Sequence, residues 1–221
     1  MLNLPKSTYF ERKIPKEKFY KNLDIDTKLK QRFISSIDAI IWKNKLSKTT
    51  LNVAEGTNVI EIDVLEVILK GNECDYKLLE FIDSNIPHHT VFVLRMQEKS
   101  QLVINFKEAI KNREGKFKIS ASYKTEWADI TSFTLSIDGL DMDKIYENFI
   151  IQISNGKLNV TNSNDLAAAI AKAKEIGGLK AQISALESKT AKEKQFNVQV
   201  KFNAELKKLK EMLEDKTNGQ V

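Results

Sequence analysis

Cysteine and long apolar runs are almost absent from the 221-residue sequence. Cys74 is the only cysteine, which excludes an internal disulfide framework and a zinc site built from cysteines. No apolar run approaches the roughly 20 residues that a bilayer-spanning helix needs. The opening residues, Met-Leu-Asn-Leu-Pro-Lys, lack the apolar core of a signal peptide. These absences predict a cytoplasmic protein that has no membrane contact.

The motifs of phosphate binding and acyl transfer are missing as well. The sequence has no Gly-x-x-x-x-Gly-Lys loop and no Gly-x-Gly-x-x-Gly turn, the glycine-rich segments that hold ATP and dinucleotides. It also lacks the Gly-x-Ser-x-Gly nucleophile elbow. We therefore expect no cofactor, identify no catalytic residue, and favour a non-enzymatic role over an enzymatic one.

Charge is unevenly distributed along the chain, whose net charge is +5. Residues 1–50 carry 12 Lys and Arg against 5 Asp and Glu, residues 51–163 carry 12 against 17, and residues 164–221 carry 11 against 8. A basic beginning and an acidic middle suit an electrostatic contact with nucleic acid or with an acidic protein. A lysine-rich, solvated helix surface explains the same charge equally well.

The segment 59–69 predicts the central strand of a sheet. Its β-branched residues place apolar side chains on both alternating faces, with Ile62 and Val64 on one face and Leu65 and Val67 on the other. Strands that are apolar on both faces are covered on both sides. We predict an α/β (α+β) fold with a mixed sheet of about four to five strands, covered by helices.

Periodicity and turn residues predict the remaining elements. Helices are expected at 15–20, 27–44, 75–84 and 142–153, and further strands at 90–96, 101–106, 116–124 and 133–137, with 116–124 at or near the sheet edge. This α/β domain spans 1–153 and is followed by a linker at 154–164. A coiled-coil-like helical tail or helical hairpin is expected at 165–217.

The helix predicted at 27–44 begins after Asp26, a favourable N-cap, and has one apolar stripe. Its cations are expected on the solvent side, where they would contact nucleic acid weakly. The candidate nucleic-acid-binding residues are Lys28, Lys30, Arg32, Lys43, Lys45 and Lys48.

Coiled-coil spacings recur in the tail. One run consists of Leu179, Ile183 and Leu186, and a second run, out of register with the first, consists of Phe202, Leu206, Leu209 and Leu213. Two helical segments are therefore expected, with an interruption of the first at Gly177-Gly178. A thin stripe needs a partner, which is the other segment, a second copy of the chain or another protein. We take the second run as the partner-binding residues.

Glu61 and Asp63 form the one carboxylate pair with a spacing suited to a divalent metal, as in nucleases. The lysine that usually follows such a pair is absent, so a strand end in solvent is the favoured interpretation and no metal site is assigned.

His88-His89 and Cys74 are expected to be structural. For the two histidines the reason is that adjacent side chains on an extended segment point in opposite directions. Tyr123 and Trp127 beside Lys124 could stack on bases, but packing is favoured.

Short segments from the beginning to the end of the chain carry a family resemblance. They are Ile-Pro-Lys-Glu-Lys-Phe-Tyr at 14–20, Thr-Leu-Asn-Val-Ala at 50–54, Ile-Pro-His at 86–88, Thr-Glu-Trp at 125–127, Gly-Leu-Asp-Met-Asp at 139–143, Tyr-Glu-Asn-Phe at 146–149, Glu-Lys-Gln-Phe-Asn at 193–197 and Leu-Lys-Lys-Leu at 206–209. In this order they resemble an uncharacterised bacterial family, domain of unknown function 4391. Its members look like small partners of superfamily-two helicases and DNA methyltransferases in restriction or phage-defence gene clusters. The resemblance implies that context and no active site.

Three functional hypotheses follow. The first is a non-enzymatic accessory subunit of a helicase-containing DNA-processing or phage-defence complex, which binds a helicase, a methyltransferase or itself through the helical tail. The second is a degenerate metal-dependent nuclease that uses Glu61 and Asp63. The third is a basic nucleic-acid-binding module.

Overall fold

A computed structural model describes residues 2–22, 25–113, 115–158, 160 and 166–218. The chain divides into two compact units, Met1–Gly156 and Lys157–Val221. Much of the linker expected at 154–164, namely 159 and 161–164, lies outside the described residues. No described helix is both long enough and apolar enough to cross a membrane.

The first unit is built on a mixed sheet of seven described strands. These are β1 (Tyr9–Ile14), β2 (Ile37–Ser47), β3 (Glu61–Leu69), β4 (His89–Met96), β5 (Lys99–Ala109), β6 (Phe117–Lys124) and the short β7 (Ala128–Asp129). The order is β1-β2-β3-β4-β5-β6, with β7 beside the start of β5. Among these pairs only β3 and β4 are parallel, as a helical crossover between them requires.

Helices cover both faces of this sheet. They are α1 (Lys16–Asn22), α2 (Thr27–Ser36), the single turn α3 (Lys48–Leu51), α4 (Tyr76–Asn85) and α5 (Met142–Ser154). One face buries Leu65 and Val67 of β3 against Phe19 of α1, Phe33 of α2 and Leu79 of α4. Helix α5 contacts β3, β5 and β6 with a fully buried stripe that includes Ile145 and Phe149. The expected central strand, covered on both sides, is confirmed.

The sheet is larger than the four to five strands predicted. The structure adds β1 and β2 at one edge and β7 beside β5. Strand β6 ends the strand order, as expected for its half-exposed alternation. The strand predicted at 133–137 is wrong, because Thr134 makes only an isolated bridge to Leu2.

The helix predicted at 27–44 is wrong in its second half. Asp26 does cap α2, because its side chain accepts a hydrogen bond of 2.6 Å from the Leu29 amide. The helix ends at Ser36, however, and Ile37–Ser47 is strand β2, paired with β3 along its length. Ile40 and Ile41 fit a strand as well as a helix, and pairing with a fully buried neighbour decides between them.

An aspartate at the start of α5 holds the irregular segment that leads into β3. One carboxylate oxygen of Asp143 accepts from the Val59 amide at 2.7 Å, and the other accepts from the Thr57 amide at 2.8 Å. A Cβ on Gly56 would lie 2.2 Å from the first of these oxygens. Gly56 therefore lies at a close approach that a larger residue would block.

The second unit contains two helices, α6 (Leu166–Lys192) and α7 (Phe196–Asn218). They pair through Ile183 and Leu186 of α6 and Leu206 of α7, and through ion pairs such as Lys210–Glu187 at 2.8 Å. The expected pair of helical segments is confirmed. The interruption predicted at Gly177-Gly178 is wrong, since α6 runs through both glycines and the break lies at 193–195.

Candidate functional site

The candidate site lies where β2 ends and β3 and β4 begin. Because β2 is antiparallel to β3 and β4 is parallel to it, these three ends meet at one end of the sheet. Lys45 of β2 is opposite Asp63 of β3, which is opposite Thr90 of β4. Directly opposite residues project from the same face, so the three side chains form a row, with Glu61 two positions before Asp63.

Two carboxylates are buried in this row. Glu61 is 7% exposed and Asp63 is 6% exposed. Lys45 Nζ lies 2.6 Å from Glu61 Oε2, whereas His88 Nε2 lies 4.0 Å from Oε1. Among the described residues, Glu61 Oε1, Asp63 Oδ1 and Thr90 Oγ1 are buried and make no hydrogen bond of ordinary geometry, although Asp63 is within reach of Glu61 and Trp42, and Thr90 within reach of Asp83. Buried polar atoms are normally paired, so the row has unused hydrogen-bonding capacity.

The environment keeps a proton on Asp63 at neutral pH. Burial, and then the negative charge of Glu61, raise the pKa of Asp63 to about 8, although Lys45 opposes the shift. With Glu61 neutralised by Lys45, the cluster of these three side chains is close to neutral overall. A protonated carboxyl both donates and accepts a hydrogen bond.

A fully buried ion pair lies behind this row. Lys107 Nζ of β5 is 2.9 Å from Asp83 Oδ1 of α4, and both side chains are completely buried. Lys107 also donates to the carbonyl oxygen of His88 at 2.6 Å, and Asn105 donates to the other Asp83 oxygen at 2.8 Å. The pair therefore fixes the segment that leads from α4 into β4, which positions His88 and Thr90.

A cavity of about 380 Å³ opens onto Asp63. Its walls are mostly apolar and aromatic. The lining residues are Ile14, Lys18, Phe19, Trp42, Asp63, Leu65, Asn85, Ile86, Pro87 and His88. A mostly apolar cavity with few polar groups and a perturbed pKa is typical of a small-molecule site.

The comparisons with known proteins identify one family. The sequence profile named Domain of unknown function (DUF4391) matches residues 2–213. The chain belongs to this family. No curated protein and no solved structure matches the chain. The expected family resemblance is thus confirmed for DUF4391, whose description names no activity.

The strand end expected in solvent at Glu61 and Asp63 is wrong for this DUF4391 chain, since both carboxylates are buried. Burial alone does not make a metal centre. Among the described residues no group of three or more His, Cys, Asp or Glu is placed to hold a metal ion. Lys45 already supplies the positive charge that a cation would bring to Glu61.

Cys74 and His89 have structural environments, whereas His88 lines the cavity. His88 approaches Glu61, whereas His89 lies edge-on to Tyr146 with ring centroids 4.5 Å apart. Burial and the neighbouring cation Lys107 lower the pKa of His89 to about 3, so it is neutral. Burial raises the pKa of the Cys74 thiol to about 12, which leaves little reactive thiolate.

The six candidate nucleic-acid-binding cations are divided among three elements rather than placed on one helix. Lys28, Lys30 and Arg32 lie on α2, Lys43 and Lys45 on β2, and Lys48 begins α3. Arg32 makes a bidentate pair with Asp75, with Nε–Oδ2 at 2.8 Å. Lys43 pairs with Glu11 at 2.7 Å, so at least three of the six, counting Lys45, contact carboxylates.

The partner-binding residues predicted in the tail pack between α6 and α7, which together form the C-terminal hairpin (166–218). Phe202, Leu209 and Leu213 lie against the cluster formed by Ile183, Leu186 and Leu206. Of the three partners proposed for this stripe, the other helical segment is the one observed. Phe196 and Val200 of α7 remain 75% and 51% exposed. Neither residue belongs to the two coiled-coil runs, so apolar spacing does not predict this pair.

Proposed function

We propose that the protein is a non-enzymatic accessory subunit of a helicase-containing DNA-processing or phage-defence complex of the restriction type. The C-terminal hairpin is its assembly element. The DUF4391 resemblance supplies the helicase and methyltransferase context. The observation that carries the assembly role is the exposed apolar pair formed by Phe196 and Val200.

This pair is well suited to a protein contact. The two residues are four positions apart on α7, so they lie on the same side of the helix. The hairpin does not need them for its own core, which is formed by other residues. Exposed apolar surface gains about 25 cal/mol per Å² when it is buried, and aromatic residues are enriched at interface centres.

Lysines surround the pair and indicate the charge of its partner. Lys192, Lys194 and Lys201 are exposed near the break between α6 and α7. A small apolar contact with a basic rim is complementary to an acidic protein surface. We therefore expect a partner that presents an apolar pocket surrounded by carboxylates.

Co-expression tests the assembly role. Tagged full-length chain is produced together with the products of the genes encoded beside it, and captured proteins are identified. We expect a helicase or methyltransferase to be captured, and the double substitution F196D/V200D to reduce the captured amount at least tenfold. The matched control A181D/A185D adds the same charge at two exposed positions four apart on α6 and should leave capture unchanged.

Two outcomes contradict the proposal. One is capture by F196D/V200D that equals capture by the unaltered chain. The other is an equal loss in the A181D/A185D control, which assigns the effect to the charge of the hairpin rather than to the apolar pair. Circular dichroism of each variant checks that the helices are retained.

A further inference from the structure

We infer that the cavity beside Asp63 binds a nucleobase, whose hydrogen-bonding edge meets the Asp63 carboxyl while its ring lies between the cavity walls. The site is independent of the proposed assembly role, because it uses the α/β unit and the assembly contact uses the hairpin. Nothing in the DUF4391 description assigns it.

The volume and the walls of the cavity suit an aromatic ring. About 380 Å³ lies at the lower end of the range of roughly 300–1,000 Å³ for small-molecule sites. Trp42 and Phe19 contribute aromatic walls, and Leu65 and Pro87 contribute aliphatic ones. Bases held outside a helix are bound in this way, by stacking against aromatic and apolar side chains.

The polar end of the cavity lacks a partner. Asp63 is 94% buried, given its exposure of 6%, and its Oδ1 makes no hydrogen bond of ordinary geometry among the described residues, with Glu61 and Trp42 as the side chains within hydrogen-bonding reach of the carboxyl. A buried polar atom left unpaired costs about 1–3 kcal/mol. A ligand that pairs with this carboxyl would remove that cost.

The protonation of Asp63 selects the kind of ligand. Because burial and Glu61 raise the pKa of Asp63 to about 8, the carboxyl is protonated near neutral pH and carries one acceptor and one donor, and a ligand competes with Glu61 for the donor. Adenine and cytosine each present an amino donor beside a ring-nitrogen acceptor on the edge used in base pairing. A divalent cation is disfavoured, since Lys45 already lies 2.6 Å from Glu61.

Two side chains at the cavity indicate where an attached phosphate would lie. Lys18 of α1 is exposed and lines the cavity, and so does His88, whose side chain is 40% exposed. A cation near the opening favours a base that carries a phosphate. Both a free nucleotide and an unpaired base of a single strand have this chemistry.

Tryptophan fluorescence gives a direct assay. Trp42 and Trp127 are the only tryptophans, so W127F leaves Trp42, in the cavity wall, as the reporter. The full-length W127F chain is titrated with AMP, CMP, GMP and UMP, with the corresponding nucleosides, and with short single-stranded homopolymers. We expect saturable quenching with adenine or cytosine, the two bases that present an amino donor beside a ring-nitrogen acceptor. Quenching by mononucleotides identifies a free nucleotide, whereas quenching by homopolymers alone identifies an unpaired base in a strand.

Two substitutions of Asp63 separate a binding role from a structural one. Asp63→Leu removes the hydrogen bonds and should raise the dissociation constant at least tenfold. Asp63→Asn keeps one donor and one acceptor, so it should bind within about threefold of the parent chain. Neither variant buries an ionisable group at this position, so both should fold.

The pH dependence supplies a second measurement. Binding should weaken as pH rises through about 8 in the parent chain, because ionised Asp63 no longer donates, and should stay level in Asp63→Asn. The charged groups near Asp63 are Glu61 on its own strand, Lys45 on β2 and Lys107 on β5, and Lys18 on α1 and the titratable side chain of His88 line the same cavity. Absence of quenching by every probe, or binding that Asp63→Leu leaves unchanged, would overturn the inference.

Discussion

Asp63 weakens the fold in which it is buried. Below about pH 4 its carboxyl is protonated in both the folded and the unfolded chain. Between about pH 4 and pH 8 the unfolded chain releases this proton and the folded chain retains it. The folded state then binds more protons, so the free energy of unfolding falls as pH rises, until the loss is complete above about pH 8.

Asp63→Asn should therefore stabilise the protein in a pH-dependent way. A pKa shift of one unit corresponds to about 1.4 kcal/mol, so the gain above pH 8 is on the order of a few kcal/mol. It should shrink steadily as pH falls and vanish below about pH 4. Urea unfolding of both chains at several pH values measures it. Asp83→Asn is not a suitable control, because it breaks the buried pair with Lys107. A gain that is equal at every pH would contradict this account of Asp63.

The same carboxylates test the nuclease alternative. Purified full-length chain with magnesium or manganese should leave duplex and single-stranded DNA intact. The reason is that Lys45 neutralises Glu61 and that no described cluster supplies a third ligand. Agarose and denaturing gels with labelled DNA provide the measurement. Metal-dependent cleavage that disappears in E61A/D63A would replace the non-enzymatic assignment with the nuclease hypothesis.

Individual elements differ in how far the sequence predicts them. Strand β3 is predictable because both of its faces are apolar, and α5 because its inner stripe is regular. Strand β2 is not, because Ile37, Ile40 and Ile41 continue the apolar spacing of α2 and no glycine or proline separates the two elements. The boundary is set by pairing with β3, a tertiary interaction that local periodicity does not contain.

The candidate site is less predictable than the fold for a related reason. Glu61 and Asp63 can be selected from their spacing, but their burial depends on Lys45, Thr90 and Lys107, which come from other strands. Sequence reasoning misses two charged residues at core positions. They are Lys107, within an otherwise apolar strand, and Asp83, beside the inward residues of α4. A charge at a core position predicts an ion-pair partner but does not say which one.

The contacts of the observed elements also change which of the candidate cations should be substituted to test nucleic-acid binding. Arg32 is bidentate to Asp75, which in turn caps α4 through the Leu78 amide at 3.3 Å. Substituting Arg32 would therefore mix stability with binding. Lys28 and Lys48 are exposed and are the better choice for a test of the third hypothesis.

K28E/K48E should weaken DNA binding without altering the fold. Binding to the basic N-terminal elements is expected to fall steeply with salt and to show little sequence preference. Each lost phosphate contact reduces the salt slope by about one. Fluorescence anisotropy with labelled DNA at low and moderate salt measures it, and K207E/K208E on the exposed hairpin is the control of equal charge. No binding at low salt, or equal binding by both variants, removes this hypothesis.

The whole molecule combines two separable units within one family. The DUF4391 match extends from residue 2 to residue 213, so it includes the hairpin as well as the α/β unit. Net charge and composition predict neither the cavity nor the exposed pair on α7, because both depend on which residues the fold leaves uncovered. We propose that the chain assembles through the hairpin, with the α/β unit as the folded body.

Deletion of residues 166–221 tests whether the hairpin is the element through which the protein binds its partner. The shortened chain and the full chain are each co-expressed with the neighbouring gene products and captured, and the thermal unfolding of the shortened chain is recorded. We expect a cooperative unfolding transition for the shortened chain together with loss of the captured helicase or methyltransferase. A folded, shortened chain that captures its partner as well as the full chain would contradict it.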